Sequence, residues 1–397
     1  MKNRNIAVIC LVVFIDLIGF GVVIPLLPFY TAALGANGFF TASTLAVYSL
    51  MQFIFCPILG RLSDKIGRKP VLLFSLIGSV ISYSIYGLAF ICTDNHEFIM
   101  GLIIISRTLA GIMGANITVA YAYIADNTDL QSRTDAMGKI GAAFGLGFIL
   151  GPAIGALTCK FGGEGPGLSA AILSLTALIL TCFYLTDTKR NKIISQVKFC
   201  RADIEYILSN AKFTLILLIS FLYFMAFAMM ESIFSYFAYK KFSLSAEEIG
   251  SIFVYLGIII ALSQGFLVGK IIKKIKEEYL IFIGVILMSL CFFAISYCDD
   301  TNLMIILIGG VALAAGFINP ILPSLVSKYA NASSQGMFQG IFQSINSLAR
   351  IIGPLLAGYT YISLSTGAPF LYAGLLLILT WFLLIHLLRM QYKQQIN

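Results

Sequence analysis

The sequence predicts an all-α membrane protein: twelve transmembrane helices in two pseudo-symmetric six-helix bundles. Composition points there first, because 59% of the 397 residues are hydrophobic and only 11% are charged, whereas soluble domains carry roughly a quarter charged residues. Apolar runs long enough to cross a bilayer, about 20 residues each, recur along the whole chain. Landmarks of the first half also return in the second.

The expected spans are 6–29, 41–60, 70–92, 98–125, 135–159 and 166–187, then 213–238, 246–269, 279–298, 302–328, 336–360 and 367–389. The start is basic and runs straight into apolar sequence past any plausible cleavage point, so it reads as a retained first span rather than a removed signal. Residues 188–212 hold Lys189, Arg190, Lys192, Lys198, Arg201 and Lys212 and form the one long polar stretch. The expected domains are therefore an N-terminal bundle over 1–187, a cytoplasmic linker over 188–212 with a short surface helix near Ala202–Asn210, and a C-terminal bundle over 213–397.

Charge sets the orientation. Of the 26 Lys and Arg residues, Lys160, Lys240 and Lys241 fall in connections on one side, and Arg107 and Arg350 fall inside spans. All others lie in the termini and connections of the opposite side, which places both termini in the cytoplasm. The net charge of +8 follows from this distribution and does not call for nucleic acid. The eight cysteines are scattered without Cys-x-x-Cys spacing and there are two histidines, so no zinc site or disulfide framework is indicated. Cys92, Cys159 and Cys298 are expected near one membrane face, where they could pair.

The most informative stretch lies between spans 2 and 3 and runs from Gly60 through Arg61, Leu62, Ser63, Asp64, Lys65, Ile66, Gly67, Arg68 and Lys69 to Pro70. It reads as a tight turn. Asp64 is the one acid among cations, Gly67 permits a backbone angle other residues resist, and Pro70 opens the next helix. A degenerate copy follows span 8, with Gly269 and Ile271 in the places of Gly60 and Leu62 but Lys273 and Lys276 where Asp64 and Gly67 would stand. Gly151-Pro152 in span 5 likewise has a counterpart in Gly353-Pro354 of span 11.

Ionisable residues inside spans are functional candidates by default. They are Asp16, Arg107, Glu231 and Arg350. Counted from the span ends, Asp16 and Arg107 come out at one depth near mid-bilayer, which suggests a buried pair. Arg350 either caps carbonyls freed by Pro354 or meets an anionic substrate group. The amides Gln52, Asn116, Gln264, Asn319, Gln339, Gln343 and Asn346 bond either a substrate or neighbouring helices. With many Phe and Tyr they describe a cavity suited to an amphiphilic molecule. In span 5, Gly141 and Gly145, then Gly147, Gly151 and Gly155, make stripes for close helix approach, and Pro152 invites a bend. Gly87 in span 3 has no such partner and is expected to tolerate a bulky side chain better than Gly151.

The order Gly-x-Leu-x-Asp-x-x-Gly-Arg-Lys from Gly60 to Lys69 resembles the signature loop of the major facilitator superfamily. Ile18-Gly19 with Pro25 to Pro28, the run Arg107 to Ala115, and Gly147 to Gly155 around Gly151-Pro152 are similar to motifs of the twelve-span drug:proton antiporters. Within that group, Gly60 to Gly78 and Tyr123 to Asp126 most resemble tetracycline efflux proteins. The resemblance implies the major facilitator fold, proton transfer involving Arg107, and an antiporter motif at Gly147, Gly151, Pro152 and Gly155. It also implies a cytoplasmic gate in which Asp64 meets the start of span 11, with Gly60, Gly67, Arg68 and Lys69 shaping the loop and Asp126 and Arg133 completing the charge network. Ser82 stands where tetracycline exporters carry an acid, and span 9 offers none. The exporter class survives that departure; tetracycline as substrate is left unsupported.

The expectation is a transporter rather than an enzyme, exporting a small amphiphilic compound by alternating access in exchange for protons, with Asp16, Arg107 and Glu231 as coupling residues. Gln52, Asn116, Gln264, Asn319, Gln343, Asn346 and Arg350 are the substrate-cavity candidates. No cofactor or metal is expected beyond the proton gradient. Its partners are the bilayer, protons and the substrate, and it is expected to act as a monomer in a bacterial inner (plasma) membrane. An uptake symporter for a metabolite or siderophore is the alternative on the same fold. An integral-membrane enzyme would need clustered His, Cys or carboxylates, which His96 and His386, far apart, do not supply.

Overall fold

In the computed structural model the described residues are 2–23, 27, 30–31, 34, 38–93, 95–129, 132–186, 210–244, 246–330 and 334–396. Among them there are helices and no strands. In order they are α1 (Lys2–Val23), α2 (Gly38–Ile66), α3 (Arg68–Cys92), α4 (His96–Met113), α5 (Asn116–Asn127), α6 (Arg133–Thr158) and α7 (Glu164–Tyr184), with a single 3-10 turn, Cys159–Phe161, between the last two. There follow α8 (Ala211–Phe242), α9 (Ala246–Leu262), a π-helical turn over Ser263–Leu267, α10 (Val268–Ile271), α11 (Glu277–Tyr297), α12 (Thr301–Lys328), α13 (Gln335–Ser363) and α14 (Ala368–Ile396). Most of the expected linker, including nearly all of the expected surface helix, lies outside the described residues, as do Pro25 and Pro28.

Ten stretches of helix among the described residues are long and apolar enough to cross a membrane. Two further long helices, α6 and α13, lie where spans 5 and 11 are expected. The helices are apolar on the outside. On α3, Phe74, Ile77, Ile81, Leu88 and Ile91 are exposed, while Ser75, Ser79, Ser82, Tyr83 and Tyr86 are buried on the other side. A soluble protein would reverse that pattern, so the exposed stripe is a surface for lipid.

The chain divides into two units. The first comprises Met1–Val197 with Ala330–Ser344, and the second Lys198–Tyr329 with Ile345–Asn397. The start of α13 thus belongs with the N-terminal helices.

In the first unit α1 packs on α6 and α7, and α3 packs on α4 and α7. Glycine sets the closest approach. A Cβ at Gly151 would stand 2.6 Å from the backbone of Gly21, and one at Gly147 would stand 3.0 Å from the Leu17 Cβ. Gly87 differs from its expected freedom, because a Cβ there would lie 2.9 Å from the Leu168 backbone nitrogen. It faces Gly167 across the α3–α7 contact, a partner on another helix that spacing within one helix cannot reveal. Reciprocal bonds tie α3 to α4: Ser82 Oγ donates to the Ser106 carbonyl at 2.7 Å and Ser106 Oγ to the Ser82 carbonyl at 2.9 Å.

In the second unit α11 packs on α12 and α14, α8 on α14, and α9 on α12. Asn210 and Asp300 cap α8 and α12 by accepting from Phe213 N at 3.2 Å and Leu303 N at 2.9 Å. Such caps satisfy amides that a helix leaves unpaired at its start. The described cysteines are all free thiols, Cys92, Cys159 and Cys298 included. The Cys298 thiol donates to the Asp300 carbonyl.

Gly151→Ala should lower the thermal midpoint of the purified protein by several degrees, since overpacking costs about 1–3 kcal/mol and a backbone cannot yield as a side chain can. Gly101→Ala, with nothing within 4 Å of the new methyl, should leave the midpoint unchanged or slightly higher. Equal midpoints for the two variants would show that the α1–α6 contact is loose.

Candidate functional site

The stretch from Gly60 to Pro70 is not an eleven-residue turn. Helix α2 continues to Ile66, α3 starts at Arg68, and one residue, Gly67, makes the break with φ 106°. That angle favours glycine. The helix persists through the charges because each has somewhere to go. Arg68 is fully buried; its Nη1 lies 2.8 Å from Asp64 Oδ1 and 2.6 Å from Ser63 Oγ, and its Nε lies 2.9 Å from Asp126 Oδ2. Lys69 donates to the Cys182 carbonyl at 2.7 Å. Arg133 donates to the carbonyls of Ala125 and Thr128 at 3.0 and 3.3 Å, at the end of α5.

Asp64 also reaches the start of α13. Its two oxygens accept from Gly336 N at 2.9 Å and Met337 N at 2.8 Å. Those are first-turn amides with no partner inside their own helix, and the carboxylate sits at the positive end of the helix dipole. Gly60 and Gly336 allow the approach, for a Cβ on either would collide with the other's backbone carbonyl. Gly340 lies the same way over Cys56 and Pro57, where a Cβ would come within 2.6 Å of the backbone. Ser344 then donates to the Phe53 carbonyl.

A second constellation lies deeper in the first unit. The expected fourth span is two helices with a turn at Gly114 and Ala115. Gln52 serves that break, since its Nε2 donates to the Gly114 carbonyl at 3.2 Å and to Tyr48 Oη at 3.0 Å. Asn116, first residue of α5, donates to Asp16 Oδ2 at 3.0 Å.

Arg107 is not the partner of Asp16. Nine residues separate Arg107 from Asn116, about 13 Å along a helix axis, so Asp16 is level with the break and Arg107 is not. Counting from span ends put both at mid-depth; it could not register the turn between them. Arg107 is fully buried, its guanidinium carbon 5.5 Å from the ring centroids of both Tyr83 and Tyr86. One nitrogen donates to Ser106 Oγ at 3.3 Å, and Nε and Nη1 have no hydrogen-bond partner. Tyr83 stands within electrostatic reach of both Arg107 and Asp16. The two tyrosines were not singled out in the sequence, although their i, i+3 spacing on span 3 is legible there.

Of the antiporter-motif residues, Gly147 and Gly151 make the close contacts with α1, Gly155 is buried, and the side chain of Pro152 lies outside those described. Gln343 lies partly buried in the portion of α13 that clusters with the first unit.

In the second unit Asn319 accepts from the Tyr223 hydroxyl at 2.8 Å. Gln264 is 1% exposed inside the π-helical turn, and both ends of its amide lack a partner. Asn346 is buried with its Oδ1 unpartnered. Glu231 and Arg350 are exposed. Among the described residues no group of three His, Cys, Asp or Glu side chains could hold a metal ion.

Membrane-length helices, a glycine-hinged charge cluster and ionisable groups inside the spans define an integral-membrane transporter. The chain belongs to the Major Facilitator Superfamily, whose family profile matches residues 9–330 and 216–396. It is 31% identical over 369 residues to the class D tetracycline resistance protein of Salmonella ordonez, covering 90% of each chain. It is 28% identical over 375 residues to multidrug resistance protein 2 of Bacillus subtilis, covering 92% of this chain and 90% of that one. The crystal structure of the human organic anion transporter MFSD10 (TETRAN) shares the fold, with a TM-score of 0.82 at 24% identity over 96% of this chain and 99% of that one.

Asp64→Asn keeps the shape but removes the charge and replaces one acceptor oxygen by a donor, so at least one of the three hydrogen bonds is lost and the rest are weakened. Hydrogen bonds to charged groups are worth about 1.5–3 kcal/mol, so amide exchange at Gly336 and Met337, read by mass spectrometry, should quicken by about tenfold or more. Exchange there at the wild-type rate would show that the cap does not hold the start of α13.

Proposed function

We propose that this protein exports a small amphiphilic compound across a bacterial inner membrane in exchange for protons, as a monomer with both termini in the cytoplasm and by alternating access. The kinship to tetracycline and multidrug resistance proteins supports the direction of transport. The distribution of Lys and Arg supports the orientation.

The observation that carries the reading is the setting of Asp16. It is an acid inside a membrane-crossing helix, and its partner is a neutral amide, Asn116. A carboxylate locked to a cation would have to break an ion pair to take up a proton. One held by an amide does not, because an amide offers both a donor and an acceptor. Asp16 can therefore load and release a proton while keeping its neighbour. Arg107, beside the rings of Tyr83 and Tyr86 and without a carboxylate contact, supplies positive charge to this part of the unit.

The substrate we propose is not tetracycline itself. Ser82, in place of an acid, is committed to the α3–α4 contact with Ser106. The Asp64 cap on α13 is the latch we propose for the cytoplasmic side, made and broken once per cycle, with Arg68, Asp126 and Arg133 holding its base.

In proteoliposomes with an imposed pH gradient, Asp16→Asn should abolish pH-driven flux, at least a hundredfold down, while equilibrium binding of the transported compound stays within about threefold. Arg107→Lys should fail in the same assay, since a point charge does not stack between rings as a planar guanidinium does. Full pH-driven flux with Asn at position 16 would remove this carboxylate from the mechanism.

A further inference from the structure

Two opposite charges stand unanswered in the second unit. Glu231 on α8 and Arg350 on α13 are both exposed, and neither has a hydrogen-bond or ion-pair partner among the described residues. Charges on membrane-crossing helices are costly and mark functional positions unless something pairs with them.

Their relative placement follows from how α8 and α13 pack. Leu222 and Met225 share a cluster with Ala349. A Cβ at Gly353 would stand 2.8 Å from the Met225 carbonyl oxygen and 3.0 Å from the Ala228 Cβ. The rings of Tyr236 and Tyr361 meet with centroids 5.2 Å apart. These contacts advance together along both helices, so the two run side by side in one direction, with Gly353 level with the turn from Met225 to Ala228. Arg350 lies a turn before that level and Glu231 a turn or more after it, roughly 10 Å apart along the axes at 1.5 Å per residue. The Arg350 charge still acts on the Glu231 carboxylate, yet the two groups stay more than 4.0 Å apart. The interval is what a head group with both charges would occupy, since each charge-assisted contact takes about 2.8 Å. Beyond Glu231, the Tyr236–Tyr361 pair offers an apolar face for the body of such a molecule.

We infer that Glu231 and Arg350 grip the two poles of a zwitterionic amphiphile, its ammonium at Glu231 and its anionic group at Arg350. The inference rests on the export reading for the purpose of the site, and it gives Glu231 a substrate role in place of the proton-coupling role expected from sequence. A substrate with both charges then gains two contacts that a singly charged relative cannot make.

The test uses the purified full chain and three fluorescent probes on one scaffold: Nε-dansyl-lysine, which is zwitterionic, its methyl ester, which is cationic, and its Nα-acetyl derivative, which is anionic. The wild type should bind the zwitterion about tenfold tighter than either relative, the size of one charge-assisted contact. Arg350→Gln should erase the advantage over the ester, and Glu231→Gln the advantage over the acetyl derivative. Arg350→Lys should keep part of the preference, which separates lost charge from lost folding. Three equal affinities in the wild type, no saturable binding of any probe, or an equal loss for all three probes in Glu231→Gln would each overturn the inference. pH-driven flux of the same probes is read separately. Selective binding without flux would leave the site standing and sink the antiport reading, and flux without selectivity would do the reverse.

Discussion

The interior of a bilayer offers no water, so each polar group in a crossing helix must find its partner within the protein. Much of this chain follows from that constraint. The fourth span breaks at Gly114, and Gln52 crosses from α2 to take the freed carbonyl. Ser82 and Ser106 exchange hydrogen bonds between α3 and α4. Asp16 takes the amide that the same break presents. Gln52 and Ser82, which could have served a transport site, are thereby committed to holding helices together, and that is visible only in their partners.

The exceptions are the informative residues. Arg107 keeps two buried nitrogens without a partner and is held by the faces of two tyrosines. Rings stabilise a cation without binding it in a fixed direction, which leaves the nitrogens available to a group that arrives later. Gln264 has an unpartnered amide inside a π-helical turn, a distortion often found at functional positions. Glu231 and Arg350 stand apart though oppositely charged. Charges left without a close partner on membrane-crossing helices are costly, which makes these positions functional candidates.

The charge cluster around Arg68 obeys the same rule with different means. Arg68 is fully buried, and both carboxylates that hold it are themselves placed by helix geometry, Asp64 four residues before it and Asp126 at the end of α5. Removing one partner of such a buried pair leaves an uncompensated charge, which costs far more than the pair contributes when intact. The cap on α13 shares this cluster, so the start of that helix is tied to the integrity of an ion pair between α2 and α3. A small change at Asp64 is therefore felt along three helices.

By itself the sequence determined what depends on local order and on the bilayer: the all-helical membrane class, the places of the ten crossing-length apolar helices found among the described residues, the glycine at position 67, the small-residue stripe of span 5 and the family. These are set within one helix, where spacing and composition speak directly. The tertiary structure alone decided who meets whom across helices. It paired Asp16 with Asn116 rather than Arg107, placed Gly87 against Gly167, reduced the turn around Gly67 to one residue, and committed Gln52 to a helix break. It also left Glu231 and Arg350 apart. Partners on different helices are fixed by packing and by breaks that shift one helix against another by several ångströms, and no count of residues along a single span registers that displacement.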